Sequence, residues 1–338
     1  MHKPSQMTVF DALYGIAARD GREEALFGRS IELARPAYQK ALIGDGYPSA
    51  YLEFPLLGEP RFDLLCVHGH VRPGATFEPG AGFGYQAMFD WFSGAGVADD
   101  VSCGIELDCG DGETERASVY LQQRIHAELV APFLESIGEG ARAWSYEAVC
   151  SRMPTGLPPA YVGLFPGRPG SPLRIGGYLS DSARRACANS PRELARAFDA
   201  IGFCAYDGPM LGRCAEFMGE APSVDFQFDI MADGSLGGTF GLSLSFNETR
   251  PREAHACMEV GYGADLMSTL EDWGLADDRW KLIADAAFAR HVGFERENGG
   301  EGRLALCVLF NYAKIKFTDC NPQPAKFYLV LQASELSG

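Results

Sequence analysis

The sequence has few basic residues relative to its acids, and it lacks any long hydrophobic run. Its 338 residues contain 29 Lys and Arg against 45 Asp and Glu, a formal net charge of −16. Sequence-independent nucleic-acid binding requires a basic surface, so the composition argues against that class. No apolar run approaches the roughly 18–20 residues of a transmembrane helix, and the first twelve residues lack the apolar core of a signal peptide. We therefore expect a cytoplasmic protein with neither a nucleic-acid nor a membrane partner.

The sequence also lacks the short motifs of several enzyme classes. It has no Walker A sequence, no G-x-S-x-G and no C-x-x-C, and its ten cysteines are interpreted as reduced, mostly buried thiols. The G-A-G-F-G segment at residues 80–84 follows a loop and not a strand, so it is rejected as a dinucleotide fingerprint. His68 and His70 form H-G-H at a strand end. Spacing supplies no third ligand, so we interpret them as a loop pair and predict no certain metal site.

What the sequence does contain is a two-faced β-hairpin between Ala50 and Val67, because polar and apolar side chains alternate along both of its strands. The polar face consists of Tyr51, Glu53, Arg61 and Asp63. The apolar face consists of Leu52, Phe54, Phe62, Leu64 and Cys66. Such a hairpin must bury one face while its other face meets solvent or a ligand.

The same alternation recurs four more times, with helical segments between the hairpins. A D-G pair within Gly110-Asp111-Gly112 and another at Asp233-Gly234 predict tight turns. The four later hairpins are predicted within residues 102–124, 160–179, 224–246 and 304–332. The helical segments are predicted at residues 8–43, 85–92, 126–150, from Ser190 onward, 251–273 and 277–291.

Five hairpins predict an α+β fold, a closed antiparallel ten-stranded β-barrel with an outer ring of helices, formed by residues 1–338 as a single domain. Closure removes exposed strand edges, and the helices are the available cover for the apolar faces. The polar faces must then point inward. Side chains just fill a barrel of about eight strands, so ten strands leave a solvated polar lumen in which a ligand can bind.

This arrangement resembles the ABBA fold of the aromatic prenyltransferases. Enzymes of the dimethylallyltryptophan synthase type carry a glutamate in an early barrel strand, and an arginine followed by an aromatic residue opens the next strand. Y-L-E-F at Glu53 and P-R-F-D at Arg61 match that pattern, and A-K-F-Y-L matches a later Lys-x-Tyr pair at Lys326 and Tyr328. The length is nearer the bacterial phenol and cyanobactin-type peptide prenyltransferases. Hairpins two and four depart from the pattern, since they carry acids where Lys-x-Tyr is expected.

The resemblance implies a natural-product enzyme that transfers a dimethylallyl or geranyl group from its diphosphate to an aromatic or peptide side-chain acceptor. Glu53 would orient the acceptor and remove its proton. The leaving diphosphate needs cations, and the allylic cation needs aromatic faces. The candidate diphosphate ligands are Arg61, Arg174, Lys314, Lys316 and Lys326. The candidate carbocation shield is Tyr120, Tyr178 and Tyr328.

The acids Asp63, Asp225 and Asp229 are left with three interpretations. They could hold Mg²⁺ against the diphosphate, bind a cationic acceptor such as a guanidinium group, or simply balance the lysines. No tightly bound cofactor is expected beyond that candidate Mg²⁺. The cations could likewise be ordinary strand residues that pair with acids, and Glu53 and Arg61 could form a plain cross-strand ion pair.

Two other functions remain open at this stage. One is a pentein-like guanidine-modifying hydrolase, a fold that also has five-fold repeats and central acids, with Cys320 as the candidate nucleophile. Two long strands per repeat, flanked by helices, argue against it. The other is a barrel that binds a small molecule without catalysis. The acceptor, the prenyl chain length and the regiochemistry depend on side-chain volumes in the lumen, which the sequence does not reveal.

Overall fold

A computed structural model describes residues 3–28, 31–77, 84–94, 101–109, 117–122, 127–246, 251–296 and 299–336. The predicted turn at residues 110–112 and most of the G-A-G-F-G segment lie outside these ranges. No helix within them is long and apolar enough to cross a membrane. The assignment of residues 1–338 to one domain stays a prediction.

The strands of the described ranges pair with their neighbours in antiparallel fashion. They are β1 (Ser49–Pro55), β2 (Asp63–His68), β3 (Ser102–Asp108), β4 (Ser118–Gln122), β5 (Tyr161–Leu164), β6 (Leu173–Tyr178), β7 (Ser223–Ile230), β8 (Leu236–Ser245), β9 (Phe288–Glu295), β10 (Glu301–Thr318), β11 (Asn321–Pro322) and β12 (Lys326–Leu336).

Ten of these strands form a closed ring. The order runs β10-β12-β1-β2-β3-β4-β5-β6-β7-β8, and β8 pairs again with β10. The predicted barrel of five hairpins is confirmed. The short β11 and the additional β9 pair with β10 outside the ring.

Helices lie outside the barrel. They are α1 (Gln6–Ala17), α2 (Ile31–Lys40), α3 (Tyr85–Gly94), α4 (Ala127–Ser136), α5 (Ala143–Cys150), α6 (Asp181–Asn189), α7 (Pro191–Ile201), α8 (Gly208–Glu220), α9 (Pro251–Val260) and α10 (Tyr262–Asp272). A π-helical turn covers Glu23–Phe27, and 3₁₀ segments cover Gly140–Arg142 and Asp278–Ala286.

Three helix predictions were wrong in detail. The segment 126–150 is interrupted after α4, where Gly138 adopts a left-handed φ of 80°. The segment 251–273 consists of two helices that meet at Gly261. The segment 277–291 contains a 3₁₀ helix and then enters β9, because residues from Phe288 onward pair along the first half of β10.

The apolar face of the opening hairpin packs outward, as predicted. Phe54 and Phe62 are fully buried, and their ring centroids lie 5.3 and 6.0 Å from that of Phe27 in the π-helical turn. Burial of such a side chain stabilises the fold by about 1.5–3 kcal/mol. Because outward packing occupies one face of each strand, the charged face must line the lumen.

A β-bulge at Asn311 determines which face of β10 lines the lumen. Opposite β12, Phe310 pairs with Leu329 and Tyr312 pairs with Tyr328, so one residue of β10 is left over. The apolar positions are even-numbered before the bulge and odd-numbered after it. Tyr312 and the lysines that follow it therefore point inward.

Candidate active site

The lumen contains two adjoining chambers, with volumes of about 600 and 440 Å³. Four side chains line both chambers, and we call this group the belt. The belt consists of Glu53, Glu106, Gln227 and Lys314. Charged groups dominate the first chamber and tyrosines dominate the second, so the lumen is chemically divided along its length.

Six cations line the first chamber: Arg61, Arg168, Arg174, Lys314, Lys316 and Lys326. All five predicted diphosphate ligands are therefore placed in one cavity. Arg168 was not predicted, because it lies in the loop between β5 and β6, where no strand alternation assigns a direction. Its guanidinium donates to Glu106 at 2.7 Å and stacks on Phe165 at 4.1 Å.

Glu53 and Arg61 are not paired in register across β1 and β2, so the register does not support the alternative of a plain cross-strand ion pair. Glu53 pairs in register with Asp63 on β2 and with Tyr328 on β12. Arg61 falls in the connection before β2, because the second strand begins only at Asp63. The ammonium group of Lys326 donates a hydrogen bond to the Glu53 carboxylate.

The pair of Glu53 and Lys326 is held in its charged form. Burial alone would raise the pKa of Glu53, but the charges of Lys326 and Lys314 and hydrogen bonds from Lys326 and Tyr328 outweigh it and lower the pKa to about 2. Burial lowers the pKa of Lys326, yet Glu53 and Asp63 raise it overall. Glu53 is thus an anion at neutral pH.

Asp63 has the opposite electrostatic environment. Its carboxylate faces Glu53 on one side and pairs in register with Asp108 on the other, while Lys326 lies 3.6 Å away. Burial and the neighbouring charge of Glu53 raise the pKa of Asp63 to about 7. This part of the first chamber therefore holds a proton near neutral pH.

The cations of the first chamber fall into two groups. Arg174 forms a bidentate pair with Asp229 at 2.8 and 3.1 Å, so the interpretation as a plain ion pair holds for it. Lys314 and Lys316 make no ion pair within 4 Å among the described residues. Burial and the nearby Arg174 lower the pKa of Lys314 to about 8. These two lysines are the cations most open to an incoming anion.

Six tyrosines line the second chamber: Tyr51, Tyr120, Tyr161, Tyr178, Tyr312 and Tyr328. The three predicted shield residues are among them. Tyr120 donates to Glu106 of the belt, and the Tyr328 ring lies 4.0 Å from that of Tyr312. Tyr178 is 57% exposed, so it marks the mouth of this chamber and not its interior.

Three lining tyrosines were missing from the predicted shield. Tyr51 was predicted on the polar face of the first hairpin, and the same alternation places Tyr161 on the polar face of the third, so this signal could have added both to the predicted shield. Tyr312 follows the bulge at Asn311, and the change from even to odd apolar positions was its only signal in the sequence.

Glycines on the neighbouring strands leave space for two of these rings. A Cβ atom at Gly176 would lie 2.1 Å from Tyr161 Cζ, and one at Gly163 would lie 2.7 Å from the ring of Tyr120. Each ring therefore lies directly over the backbone of a glycine on the neighbouring strand. The volume of the second chamber depends on these glycines as well as on the tyrosines.

The three predicted Mg²⁺ or acceptor ligands are not brought together. Asp63 and Asp229 line the first chamber on different strands, and Asp225 lines the second. No group of three or more His, Cys, Asp or Glu residues in the described part of the chain is arranged to hold a metal ion. Each acid has its own surroundings and requires its own interpretation.

The residues singled out for other chemistry lie outside the lumen. Cys320 sits with a φ of 68° in the turn after β10, lines neither chamber, and has a thiol pKa that is raised by partial burial and by neighbouring aspartates. It therefore offers no support for the pentein-like hydrolase. His68 is buried, its Nε2 lies 2.7 Å from the carbonyl oxygen of Ala41, and burial lowers its pKa to about 4. That contact makes it a structural residue.

The closed ring of ten antiparallel strands, with helices outside and a divided polar lumen, is the fold of the aromatic prenyltransferases, and the resemblance expected from the sequence is confirmed at the level of fold. The solved 5-dimethylallyltryptophan synthase from Streptomyces coelicolor is 14% identical, with a TM-score of 0.54 over 95% of this chain and 96% of that one. The apo form of the prenyltransferase PriB is 12% identical, with a TM-score of 0.56 over 98% and 96%. No family model and no curated protein sequence matches the chain.

Proposed function

We propose that the protein transfers an isoprenyl group, dimethylallyl or geranyl, from its diphosphate to an aromatic or peptide side-chain acceptor inside the barrel. The proposal rests on one observation: a chamber lined by cations and a chamber lined by tyrosines meet at Glu53 and Lys314. Solved structures of the same fold support it. The Streptomyces coelicolor enzyme was crystallised with DMASPP and Trp, and PriB with L-tryptophan and dimethylallyl thiolodiphosphate.

The first chamber supplies what the leaving group needs. When the allylic C–O bond breaks, diphosphate leaves with the electron pair, and cations placed in advance stabilise the charge that develops on it. Lys314 and Lys316 are open to this anion, and Lys326 and Arg174 can extend their ion pairs to it. A hydrogen bond to a charged group stabilises by about 1.5–3 kcal/mol, so several of them give a substantial effect.

The second chamber supplies what the allylic cation needs. Tyrosine faces attract a cation by about 0.5–2 kcal/mol each and occupy the positions where water would capture it. Tyr120 donates a hydrogen bond to Glu106 of the belt, Tyr328 pairs in register with Glu53, and Tyr312 lies two residues before Lys314 on β10. The acceptor then forms the new C–C or C–heteroatom bond and loses a proton.

Glu53 lies where it can receive that proton. With Lys326 bound to it, its low pKa makes it a weak base. A diphosphate in the first chamber draws Lys326 toward itself, which weakens the ion pair and raises the basicity of Glu53. Donor binding thus prepares the base in the same step that it positions the leaving group.

The test is acceptor-dependent release of diphosphate from dimethylallyl and geranyl diphosphate, with indole, phenol and peptide acceptors.

Glu53→Gln should lower kcat by about 10²–10⁴-fold, the usual contribution of a general base. It should not weaken binding of inorganic diphosphate, because it frees Lys326. Lys314→Ala should weaken that binding by about tenfold or more, the equivalent of one charge-assisted hydrogen bond. Glu216→Gln, an exposed change on α8, is the matched control.

Three outcomes would count against all or part of this proposal. Saturable diphosphate binding without turnover would favour the non-catalytic binding barrel. Full activity of Glu53→Gln would remove that residue from the chemistry. No binding of any isoprenyl diphosphate would overturn the proposal as a whole.

Magnesium is assigned a secondary role in this proposal. Asp229 is held by Arg174 and Asp63 lies beside Lys326, so neither acid is an open ligand. We expect protein cations to neutralise most of the diphosphate charge, so turnover in excess EDTA should stay above about half. Complete loss in EDTA, restored by Mg²⁺, would contradict this. The cytoplasmic location, the absence of a nucleic-acid partner and the role in natural-product biosynthesis stay predictions.

A further inference from the structure

Asp225 differs from the other acids of the lumen. It lines only the second chamber, whereas Glu53 and Glu106 belong to the belt. Its carboxylate accepts hydrogen bonds from Tyr161 at 3.2 Å and from the Gln227 amide at 3.4 Å. Both donors are neutral. Within the described residues Asp225 makes no ion pair, in contrast to Asp229 with Arg174 and Asp63 beside Lys326.

The position of Asp225 makes it reachable by an acceptor. It pairs in register with Tyr178 at the exposed mouth on one side and with Ser243 on the other. Lys314, a member of the belt, is the cation whose charge acts on Asp225, and it lines the first chamber as well. When diphosphate occupies the first chamber, Lys314 is attracted to the diphosphate, and the carboxylate of Asp225 is left with neutral partners only.

The groups around Asp225 define the chemistry that would bind there. Burial raises the pKa of Tyr161, Tyr178 and Tyr312, and each phenol is close enough to Asp225 for its charge to add to that effect. Aromatic faces and a carboxylate together recognise an organic cation, through cation–π attraction and a charge-assisted hydrogen bond. Burial raises the pKa of Asp225 itself to about 7, and this effect outweighs the charge of Lys314 and the neutral hydrogen-bond donors, which lower it.

We propose that the second chamber selects acceptors that carry an organic cation, an ammonium or a guanidinium group, and that Asp225 is the residue that recognises it. That the bound cation belongs to a prenyl acceptor rests on the proposed function. The cation selectivity itself is a property of the chamber and can be measured without turnover. The volume of about 440 Å³ suits a single aromatic or aliphatic side chain with its charged group.

The experiment is calorimetric binding in saturating inorganic diphosphate, with two cationic probes and their neutral isosteres. Tryptamine is compared with 3-propylindole, and butylguanidine with butylurea. At least one cationic member should bind the wild-type protein at least tenfold more tightly than its isostere. Asp225→Asn should reduce that preference to less than threefold, whereas Glu216→Gln should leave it unchanged. Thermal unfolding and the affinity for inorganic diphosphate report whether Asp225→Asn is folded.

The outcomes separate this inference from the proposed function. Equal binding of both members of each pair, no binding of either cation at millimolar concentration, or a preference that survives Asp225→Asn would overturn the inference. Acceptor-dependent diphosphate release would still support prenyl transfer in that case. A cation preference that Asp225→Asn abolishes, without turnover of any acceptor, would overturn the proposed function and keep the cation site. If Asp225→Asn is unfolded, Tyr161→Phe replaces it, because it removes the donor to Asp225 and should alter the same preference.

Discussion

At the scale of single residues, the properties of the lumen depend on which neighbours strand register supplies. Glu53 and Asp63 are paired across β1 and β2, yet one has a pKa near 2 and the other near 7. The difference arises because Lys326 donates to Glu53 and lies farther from Asp63. Because Lys326 lies between the two acids and donates to Glu53, ionisation of Asp63 is the less favourable of the two.

Replacing Asp63 should change the pH dependence of stability. The folded state keeps a proton on Asp63 up to about pH 7, whereas the unfolded chain releases it near about pH 4. The associated stability is complete below about pH 4 and is lost as the pH rises through 7. Asp63→Asn, which is neutral throughout, should stabilise the fold at pH 8 by on the order of 2 kcal/mol relative to wild type.

Urea unfolding at pH 8 and pH 5 measures this difference, which should shrink toward the lower pH. Asp272→Asn, an exposed change at the end of α10, should show no such trend. A constant difference between Asp63→Asn and wild type at both pH values would contradict the assigned charge state.

A second residue-scale prediction concerns the wall of the second chamber. Gly176→Ala places a methyl group where Tyr161 Cζ now lies, so the ring must move into the lumen. We expect acceptor KM to rise by about tenfold or more, with little change in the affinity for inorganic diphosphate. Gly212→Ala is the control, since its Cβ meets nothing within 4 Å and lies in α8, where alanine stabilises a helix by about 0.5–1 kcal/mol. An unchanged acceptor KM for Gly176→Ala would show that the ring position is unimportant.

At the scale of elements, β10 carries the largest share of the site. Its 18 residues pair with β12 and β8 inside the ring and with β9 outside it. The bulge at Asn311 lets both halves bury their apolar side chains while Lys314 and Lys316 face the lumen. A one-residue change in register would send every later side chain to the opposite face.

Deletion of Asn311 tests this directly. Either the lysines turn outward and Ile315 and Phe317 enter the lumen, or pairing with β12 is broken. Both results cost several buried apolar side chains, at about 1.5–3 kcal/mol each, so the protein should unfold well below the wild-type Tm or fail to fold. Asn311→Ala keeps the extra residue and should retain most of the stability. A deletion variant with the wild-type Tm and diphosphate affinity would show that the bulge is dispensable.

At the scale of the whole molecule, closure of the ring leaves none of the ten barrel strands at an edge. Each barrel strand has a partner on both sides, whereas β9 pairs only with β10 among the described residues. A closed ring offers no edge at which the ladder can begin to open. The barrel should therefore exchange its backbone amide hydrogens in one cooperative step.

Hydrogen exchange followed by mass spectrometry measures this. Peptides from β1, β8 and β12 should exchange together and most slowly, because all require global opening. Peptides from β9 should exchange faster by at least about tenfold. Earlier exchange of β8 than of β1 would indicate that the β8–β10 seam opens on its own, which would contradict a cooperative ring.

Local alternation of side chains was sufficient to predict five hairpins, their outward apolar faces and the ten-stranded ring. It also placed Glu53, Arg174, Lys314 and Tyr328 on the inward face, because successive side chains of a strand point to opposite faces. The helices were less accurate, since Gly138 and Gly261 interrupt apolar patterns that continue past them. Pattern alone does not reveal where a helix bends over a curved barrel.

Only the tertiary structure decided which inward residues meet. Lys326 lies 273 positions from Glu53 in the chain, yet it donates to the Glu53 carboxylate, because register across β1 and β12 depends on the whole ring. Arg168 enters the first chamber from a loop without periodicity, and Asp225 is separated from the other two acids by the belt. Alternation is a local property of the chain, whereas register, loop path and the distance between charges are properties of the closed barrel.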